Sequence, residues 1–542
     1  MNESPSYEKP GTESPDSVNL HHRNPGPVGE THPVIGFQLN ERWIETRRHP
    51  ARLVLDFIRR DGRLTGTKEG CKEGDCGACV VLLAEPAPED GAPDRLRFRP
   101  VTSCLLPLAD VHGKWVLTVE GIDLGAPSPV QSRLVDAGAS QCGFCTPGIV
   151  MSLTAMALDG RRPTGPCHVA TGQAADEARV DRALSGHLCR CTGYRSLRQA
   201  GMEILDSLPS GEDPEETESW EALVQAGWLP SEWQETATSF LSRARQLEAD
   251  AAGQESPGSG EGVAPAGPVL GGGTDLYVQR GDALERGPVL SLAGRPDLGQ
   301  IQRRDDVLEI GARVTFEDLS ASDEMLRLVP GMVEHMHWIA SLQVRHRATV
   351  AGNLVNASPI GDVTVLMLAL DARLRLDGPD GERVVALRDF YQGYKVMDLR
   401  PGEIVTHVLL DAALDEEPAR CDFQKVSKRK CLDIASVNAA ACLRERGGVI
   451  AHAAFAVGGV APIPFYARDA STWAVGRPLS ADTVAGIRRR VLQAVAPIDD
   501  VRGSAEYKRR LTGRLVTAHF LTWFPELLSP DAVTASVVGG GR

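Results

Sequence analysis

The 542-residue sequence contains no run of eighteen apolar residues, so no membrane-spanning segment is expected. It has no surplus of positive charge. Its 58 Lys and Arg face 72 Asp and Glu, a formal net charge of −14, which argues against broad nucleic-acid binding because that needs a basic face. The first 34 residues are rich in Pro, Gly, Ser, Glu and His and lack the apolar segment of a secretory signal. A soluble, cytoplasmic protein is the expectation. No internal repeat is found, and no G-x-G-x-x-G fingerprint of a Rossmann dinucleotide fold. What remains is 42% apolar, enough to bury cores, in a chain long enough for roughly three or four domains.

Twelve cysteines stand out. Neither the length nor the N-terminus fits a secreted disulfide framework, and clustered cysteines in a reducing compartment more often ligate metal than pair. Nine of them, Cys71, Cys76, Cys79, Cys104, Cys142, Cys145, Cys167, Cys189 and Cys191, precede residue 192, and only Cys421, Cys431 and Cys442 follow.

Composition and periodicity divide the chain into a flexible tail (1–34), a small β-rich domain (35–123), a helical domain (124–210), an acidic linker (211–227) and a remainder in which strands and helices mix, ending in a frayed tail (526–542). In the β-rich part, 34–39 and 43–45 read as a hairpin, 51–59 as a helix, and 79–83 and 115–119 as strands. In the helical part, Ile149, Leu153 and Met156, then Leu197, Gly201, Ile204 and Leu208, keep helical spacing, each set opening just after a cysteine pair. A helix is expected over 236–249, a Gly/Pro/Ser-rich loop over 251–267, and a buried strand over 453–460.

The first cysteine set is Cys71-x4-Cys76-x2-Cys79, followed by Cys104. This is the spacing of a plant-type 2Fe–2S site, in which each iron takes two thiolates. Gly70, Gly74 and Gly77 let the loop backbone approach the sulfur atoms and aim N–H groups at them. The second set, Cys142-x2-Cys145 and Cys189-x-Cys191, offers four thiolates from two helix starts, which suits either zinc or a 2Fe–2S cluster. The C-x-C pair is unusual for a zinc ribbon, and the neighbouring ferredoxin-like site favours iron–sulfur. Cys167, Cys421, Cys431 and Cys442 are left as free thiols.

The stretches GTKEGCKEGDCGACVV, SCLLPL, QCGFCTPGIVMSL and LCRCTGYRSL resemble the iron–sulfur half of the xanthine dehydrogenase family of molybdenum hydroxylases. GGGTDL, LQVRHRATVAGNLVNASPIGD and VRGSAEYKRRL resemble its flavin part. The resemblance covers roughly residues 35–525. The order of two clusters and then flavin on one chain is similar to the small subunit of two-subunit bacterial members.

The resemblance implies a multidomain α+β fold. A β-grasp ferredoxin domain is followed by a helical-bundle 2Fe–2S domain, a two-part FAD-binding domain of the PCMH type (228–417), and an α+β C-terminal domain like that of CO dehydrogenase flavoproteins (418–525). It implies a second 2Fe–2S cluster at Cys142, Cys145, Cys189 and Cys191, nearest a molybdenum centre, with the first cluster between it and FAD.

For the flavin, Gly271, Gly272 and Gly273 after Val269 and Leu270 form a turn whose amides can cradle a pyrophosphate. Thr349, Val350, Ala351, Gly352 and Asn353 make a second small-residue segment, and Asp362 is placed to accept a hydrogen bond from flavin ribose or amide. The resemblance assigns 269–276, including Thr274, Asp275 and Leu276, and 349–353 to the two flavin loops. It adds Ile339, Val405 and Lys425 as positions where family members touch FAD. Where relatives often carry acidic residues, this chain reads Lys428–Arg429–Lys430–Cys431–Leu432–Asp433, beside the expected docking face of a nicotinamide.

The expected role is therefore the iron–sulfur/FAD subunit of a xanthine dehydrogenase in purine catabolism. Electrons would come from a molybdopterin cofactor on a partner large subunit, in an assembly of two small and two large subunits, and would end on NAD+. No catalytic acid, base or nucleophile is expected here, and His335, His337, His346 and His452 read as structural or surface residues. Rival readings are the same module in an aldehyde, N-heterocycle or CO hydroxylase, or a stand-alone electron carrier.

Overall fold

The structure is a computed structural model that describes residues 32–87, 95–159, 173–209, 220–252, 267–412, 419–429 and 431–526. The expectations for residues 1–31, Cys167, 253–266, Lys430 and 527–542 lie outside them.

The first domain is a five-stranded sheet of β1 (Ile35–Leu39), β2 (Arg42–Thr46), β3 (Val80–Pro86), β4 (Leu96–Thr102) and β5 (Trp115–Leu117), ordered β2-β1-β5-β3-β4. β1 and β2 form the expected hairpin, turning through Asn40 at positive φ, and β1 runs parallel to β5. β3 is apolar from Val80 to Ala84 because both its faces are covered there. Val81 and Leu83 join Phe37 and Phe57 in one core, while Val80, Leu82 and Ala84 face the helices. The helix expected over 51–59 is a single turn, Val54–Asp56, that widens into a π-helical turn, Phe57–Asp61.

The next domain packs helices Pro129–Asp136, Thr146–Leu158, Gln173–Leu184 and Arg195–Asp206. Ser128 and Gln131 form a capping box on the first. Thr146–Leu158 opens with Pro147 in its first turn and is buried nearly all round, so it is the central helix. Residues 220–252 also belong here, although composition and the resemblance divide them between a linker and the flavin domain. Helix Trp233–Ala252 sets Trp233 against Phe98 and Trp115, with Trp115 also on Phe240, and the Trp233 indole N–H donates to the Gly121 carbonyl (3.0 Å). Two buried aromatics on one helix face seat it on the cluster domains' core, not on that of the flavin domain.

The flavin half begins with a two-stranded parallel unit, β6 (Val269–Leu270) and β7 (Leu290–Ser291). Its main sheet is ordered β11-β10-β14-β9-β8, from β8 (Ile301–Arg304), β9 (Val307–Gly311), β10 (Arg373–Gly378), β11 (Gly381–Ala386) and β14 (Ile404–Asp411). A small ribbon, β12 (Tyr391–Gly393) with β13 (Val396–Met397), lies between them in sequence. The last domain is an antiparallel sheet, β15 (Ala419–Val426), β16 (Val437–Arg446), β17 (Val449–Gly458) and β18 (Phe465–Tyr466). Helices Ala481–Ala494 and Ala505–Trp523 share a core with this sheet, and helix Asp362–Ala369 packs against β16 and β17.

One cysteine expectation is corrected in this last sheet. Cys421 and Cys442 are not free thiols but a disulfide, because the β15–β16 register places them directly opposite with Cα atoms 4.2 Å apart.

Candidate cofactor sites

The first four cysteines converge from a glycine-containing loop and the turn after β4, and they close in twos. Cys71 bonds to Cys76, and Cys79 to Cys104. The Cys76 thiol, together with the amides of Glu73, Cys76 and Asp75, holds Cys71 down to about 5, against the upward push of burial. The same partnership drives Cys76 up. Likewise the bond from Cys104 lowers Cys79 and raises Cys104. Further amides, Ala78 toward Cys76 and Gly74 toward Cys104, point at sulfur. Such N–H groups favour thiolate and then stabilise charge on a bound cluster.

The second set sits where two helices start. Cys145 caps Thr146–Leu158, and Cys189 and Cys191 precede Arg195–Asp206 across a turn in which Tyr194 takes positive φ. Cys145 is pushed up to about 12 by burial first and by its bond with Cys189 second. Burial also works upward on Cys189, but the Thr192 hydroxyl and amide outweigh it and leave its thiol below the usual range. The Tyr194 hydroxyl, accepting from the Cys189 amide (2.9 Å) and donating to the His187 carbonyl (3.1 Å), fixes this turn. Cys142 and Cys191 are exposed.

Thiols closing in twos suit a site in which two irons each take a pair.

The two sets adjoin. The Leu188 amide, next to Cys189, donates to the Cys76 carbonyl (3.1 Å). Gly148, on the helix that Cys145 caps, lies so close that a Cβ there would strike the Gly77 carbonyl. On the other side, Cys79, Cys104 and Leu105 share one buried cluster with Leu270 and Tyr277 of the first flavin loop.

That loop runs from β6 through Gly271 and Gly272 to Gly273, which takes φ +75° and precedes helix Thr274–Leu284. The second segment lies against it. A Cβ at Gly272 would meet the Arg347 carbonyl, and one at Gly271 the Thr349 hydroxyl. Thr349 caps helix Val350–Asn356, accepting from the Gly352 amide (3.2 Å). Asn353 accepts from the Thr364 amide (3.1 Å) and hydroxyl (2.9 Å). The two small-residue segments thus form one backbone-lined cradle, as a dinucleotide pyrophosphate requires. Burial raises the Asp275 carboxyl, with Lys395 and Asn356 opposing.

Asp362 opens its own helix and is held by two groups. Lys425 Nζ reaches its Oδ2 (2.7 Å), Asn438 Nδ2 its Oδ1 (2.5 Å), and the same Lys425 Nζ donates to the Trp338 carbonyl (2.8 Å), beside Ile339. Lys425 is buried, with 3% of its side chain exposed. Ile339 and Val405 both lie in the hydrophobic core of the flavin domain. In the basic loop, the Arg429 amide donates to Asp433 (2.9 Å), Lys428 Nζ to the Val501 carbonyl (3.2 Å), and Arg429 acts on Asp75 of the first cysteine loop.

Sequence reasoning missed Asn438, Trp338 and Arg347. Arg347 stood in a quoted motif within the basic run Arg345–His346–Arg347, where nothing local distinguished it from its neighbours. His335 is buried and His346 half-buried, and desolvation pulls them down to about 4 and about 3.

Four family models match in order: a 2Fe-2S iron-sulfur cluster binding domain (37–109), a second 2Fe-2S binding domain (118–202), the FAD binding domain in molybdopterin dehydrogenase (259–410) and the CO dehydrogenase flavoprotein C-terminal domain (422–523). The chain has the iron–sulfur and flavin architecture of the molybdenum hydroxylases. Similar proteins include a xanthine dehydrogenase of Emericella nidulans, 28% identical over 81% of this chain and 36% of that protein. Aldehyde oxidase 1 of Bos taurus is 28% identical over 88% of this chain and 38% of that protein. The chain therefore spans well under half the length of these curated relatives. Among solved structures, a CO dehydrogenase from Oligotropha carboxidovorans is 30% identical, covering 46% of this chain and 87% of that one, with a TM-score of 0.43. The quinoline 2-oxidoreductase of Pseudomonas putida 86 is 25% identical, covering 50% and 91%, with a TM-score of 0.43.

Proposed function

We propose that this molybdenum-hydroxylase module is the electron-transfer subunit of a xanthine dehydrogenase. Electrons would enter from a molybdopterin cofactor on a partner large subunit and leave from FAD to NAD+. The supporting observation is that the two cysteine sets and the flavin loop adjoin in turn: Leu188, beside Cys189, donates to the Cys76 carbonyl, and Cys79 and Cys104 share a buried cluster with Leu270, while Cys142 and Cys191 are exposed at the far side.

In this reading Cys71, Cys76, Cys79 and Cys104 hold one 2Fe–2S cluster, and Cys142, Cys145, Cys189 and Cys191 the other. When bound, the clusters pass single electrons and the flavin collects them in pairs. The residues supply position and field. The loop amides favour the reduced, more negative cluster at the first site. Gly271–Gly273 and Thr349–Asn353 seat the dinucleotide. Lys425 and Asn438 orient the Asp362 carboxylate toward the flavin, and Arg429 with Lys428 draws an anionic dinucleotide acceptor to the same face.

The test is direct. The purified chain should carry about four irons and four labile sulfides, since each 2Fe–2S site holds two of each. It should pass electrons from NADH to a dye and leave xanthine untouched. Adding the large subunit should give xanthine-dependent NAD+ reduction in an assembly of two copies of each. Stoichiometric zinc would refute the second cluster, and xanthine turnover by this chain alone would refute the subunit reading. Because aldehyde oxidases are among the relatives, aldehydes belong in the same assay. Turnover of aldehyde without xanthine would reassign the substrate and leave the electron path standing.

A further inference from the structure

His187 lies two residues before Cys189, and its ring is buried where three domains meet, 2% exposed. Its Nε2 is 2.7 Å from the Ser152 hydroxyl, on the central helix that Cys145 caps. That hydroxyl accepts from Gln343 Nε2 (3.0 Å), and the same amide group donates to the Ala183 carbonyl (3.0 Å). Gln343 is fully buried, and Ser152 is 2% exposed.

The neighbouring donors assign the tautomer. Ser152 accepts from Gln343 and has one proton of its own, and the acceptor that meets it among the described residues is His187 Nε2, which assigns the ring proton to Nδ1. Nδ1 is then a buried donor with no hydrogen-bond partner among the described residues. Leaving such a donor unmet costs its full desolvation, so an acceptor outside the polypeptide is called for.

Its position says which. Nδ1 backs directly onto Gly77, where a Cβ would strike it, in the segment between Cys76 and Cys79. The Leu188 amide already reaches the Cys76 carbonyl. Gly77 takes φ +69°, and the absence of a side chain there leaves the imidazole seated against the ligand loop of the first cluster.

We propose that His187, from the second cluster's domain, donates its Nδ1–H to a sulfur atom of the cluster held by Cys71, Cys76, Cys79 and Cys104, and so raises that cluster's reduction potential. The inference rests on the cluster assignment above. The added electron increases negative charge on sulfur, so a donor favours the reduced form. The bond therefore biases electron flow from the second site toward the first, and only while the two domains are docked.

The test uses the full chain loaded with clusters and FAD, with EPR-monitored redox titration of His187→Ala and His187→Asn. The alanine variant should keep its iron. At the wild-type midpoint its first cluster should show a reduced-to-oxidised ratio about tenfold lower, which for a one-electron couple is about 59 mV. The second cluster should not move. Asparagine, whose amide nitrogen can replace Nδ1, should recover most of the shift. With histidine 15N-labelled, the reduced first cluster should show a coupled nitrogen that vanishes in the alanine variant. Should His187→Ala not fold, Ser152→Ala, which frees the tautomer, should move the potential in the same direction. An unmoved first-cluster potential with full iron, or equal shifts at both clusters, would overturn the proposal. Absence of the first-cluster signal from the wild-type chain would instead overturn the cluster reading and this proposal with it.

Discussion

Arg347 and Asp110 form a buried ion pair that joins the flavin domain to the first cluster domain across 237 residues of sequence. The same guanidinium donates to the Gly272 carbonyl (3.0 Å), so one side chain ties the flavin turn to the cluster domain. Breaking a buried pair by removing one partner typically costs about 3–5 kcal/mol, because the remaining charge is stranded. Arg347→Ala should lower the unfolding midpoint by a corresponding amount and release FAD on gel filtration. Asp110→Asn, which keeps a hydrogen-bonding group, should cost less. Equal stability in Arg347→Ala and the wild type would show that the pair does not hold the domains.

The two cysteine classes should separate cleanly. Cys104→Ser removes one ligand from a four-thiolate set and should abolish one of two 2Fe–2S EPR signals, with a loss of about two irons, the content of one such cluster. Cys421→Ser breaks the β15–β16 cross-link and should leave both signals intact. Iron analysis with EPR of both variants is the check, and loss of a signal in Cys421→Ser would mean the ligands are grouped wrongly.

Lys425 reaches the Asp362 carboxylate and the Trp338 carbonyl together. Lys425→Met should strand that carboxylate, at a typical cost of about 1–3 kcal/mol. The affinity for FAD should fall at least roughly tenfold, about 1.4 kcal/mol, while iron content is kept. Flavin retention by Lys425→Met equal to the wild type would remove Asp362 and Lys425 from the proposed site.

Acid should destabilise the flavin half in a defined window. Burial, with Arg99 nearby, holds His346 at about 3, and burial holds His335 at about 4. An unfolded histidine titrates near 6.5. Between those values the unfolded chain binds protons the folded one refuses, so stability falls as pH drops from 6.5 toward 4. The expected slope is about 1 kcal/mol per pH unit for each residue. Thermal midpoints across that range should decline less steeply for His346→Gln. Identical slopes would show that His346 does not carry the effect.

Much of this was legible because it is local. The β1–β2 hairpin and the two helices that follow the cysteine pairs were announced by short-range periodicity. Of the first loop's glycines only Gly70 faces a ligand sulfur, that of Cys76, whereas Gly74 makes room for Leu105 and Val344, and Gly77 for His187 and the Gly186 carbonyl, partners distant in sequence. What was not legible depends on partners distant in sequence. Nothing near Cys421 announces Cys442, which faces it only once the strand register is set. The place of helix Trp233–Ala252 is decided by Trp115 and Phe98, more than a hundred residues earlier, so the resemblance put it with the wrong neighbour. The partners of Asp362 come from Lys425 and Asn438 in another domain. Residues 51–59 have helical spacing, but the chain must enter the first cysteine loop soon afterward, and the helix gives way to a wider turn.

The seating of Trp233–Ala252 on the iron–sulfur side has a practical corollary for dividing the molecule. A chain severed before residue 220 would strip Trp233 and Phe240 from the first sheet and leave Phe98 and Trp115 bare to solvent. One severed after residue 252 would leave that apolar surface sealed. The two halves would then still meet through the apolar cluster of Leu53, Leu55, Leu105, Leu270 and Tyr277 as well as through Arg347 with Asp110 and Arg182 with Glu317, and because these pairs are largely buried, salt alone would not part them.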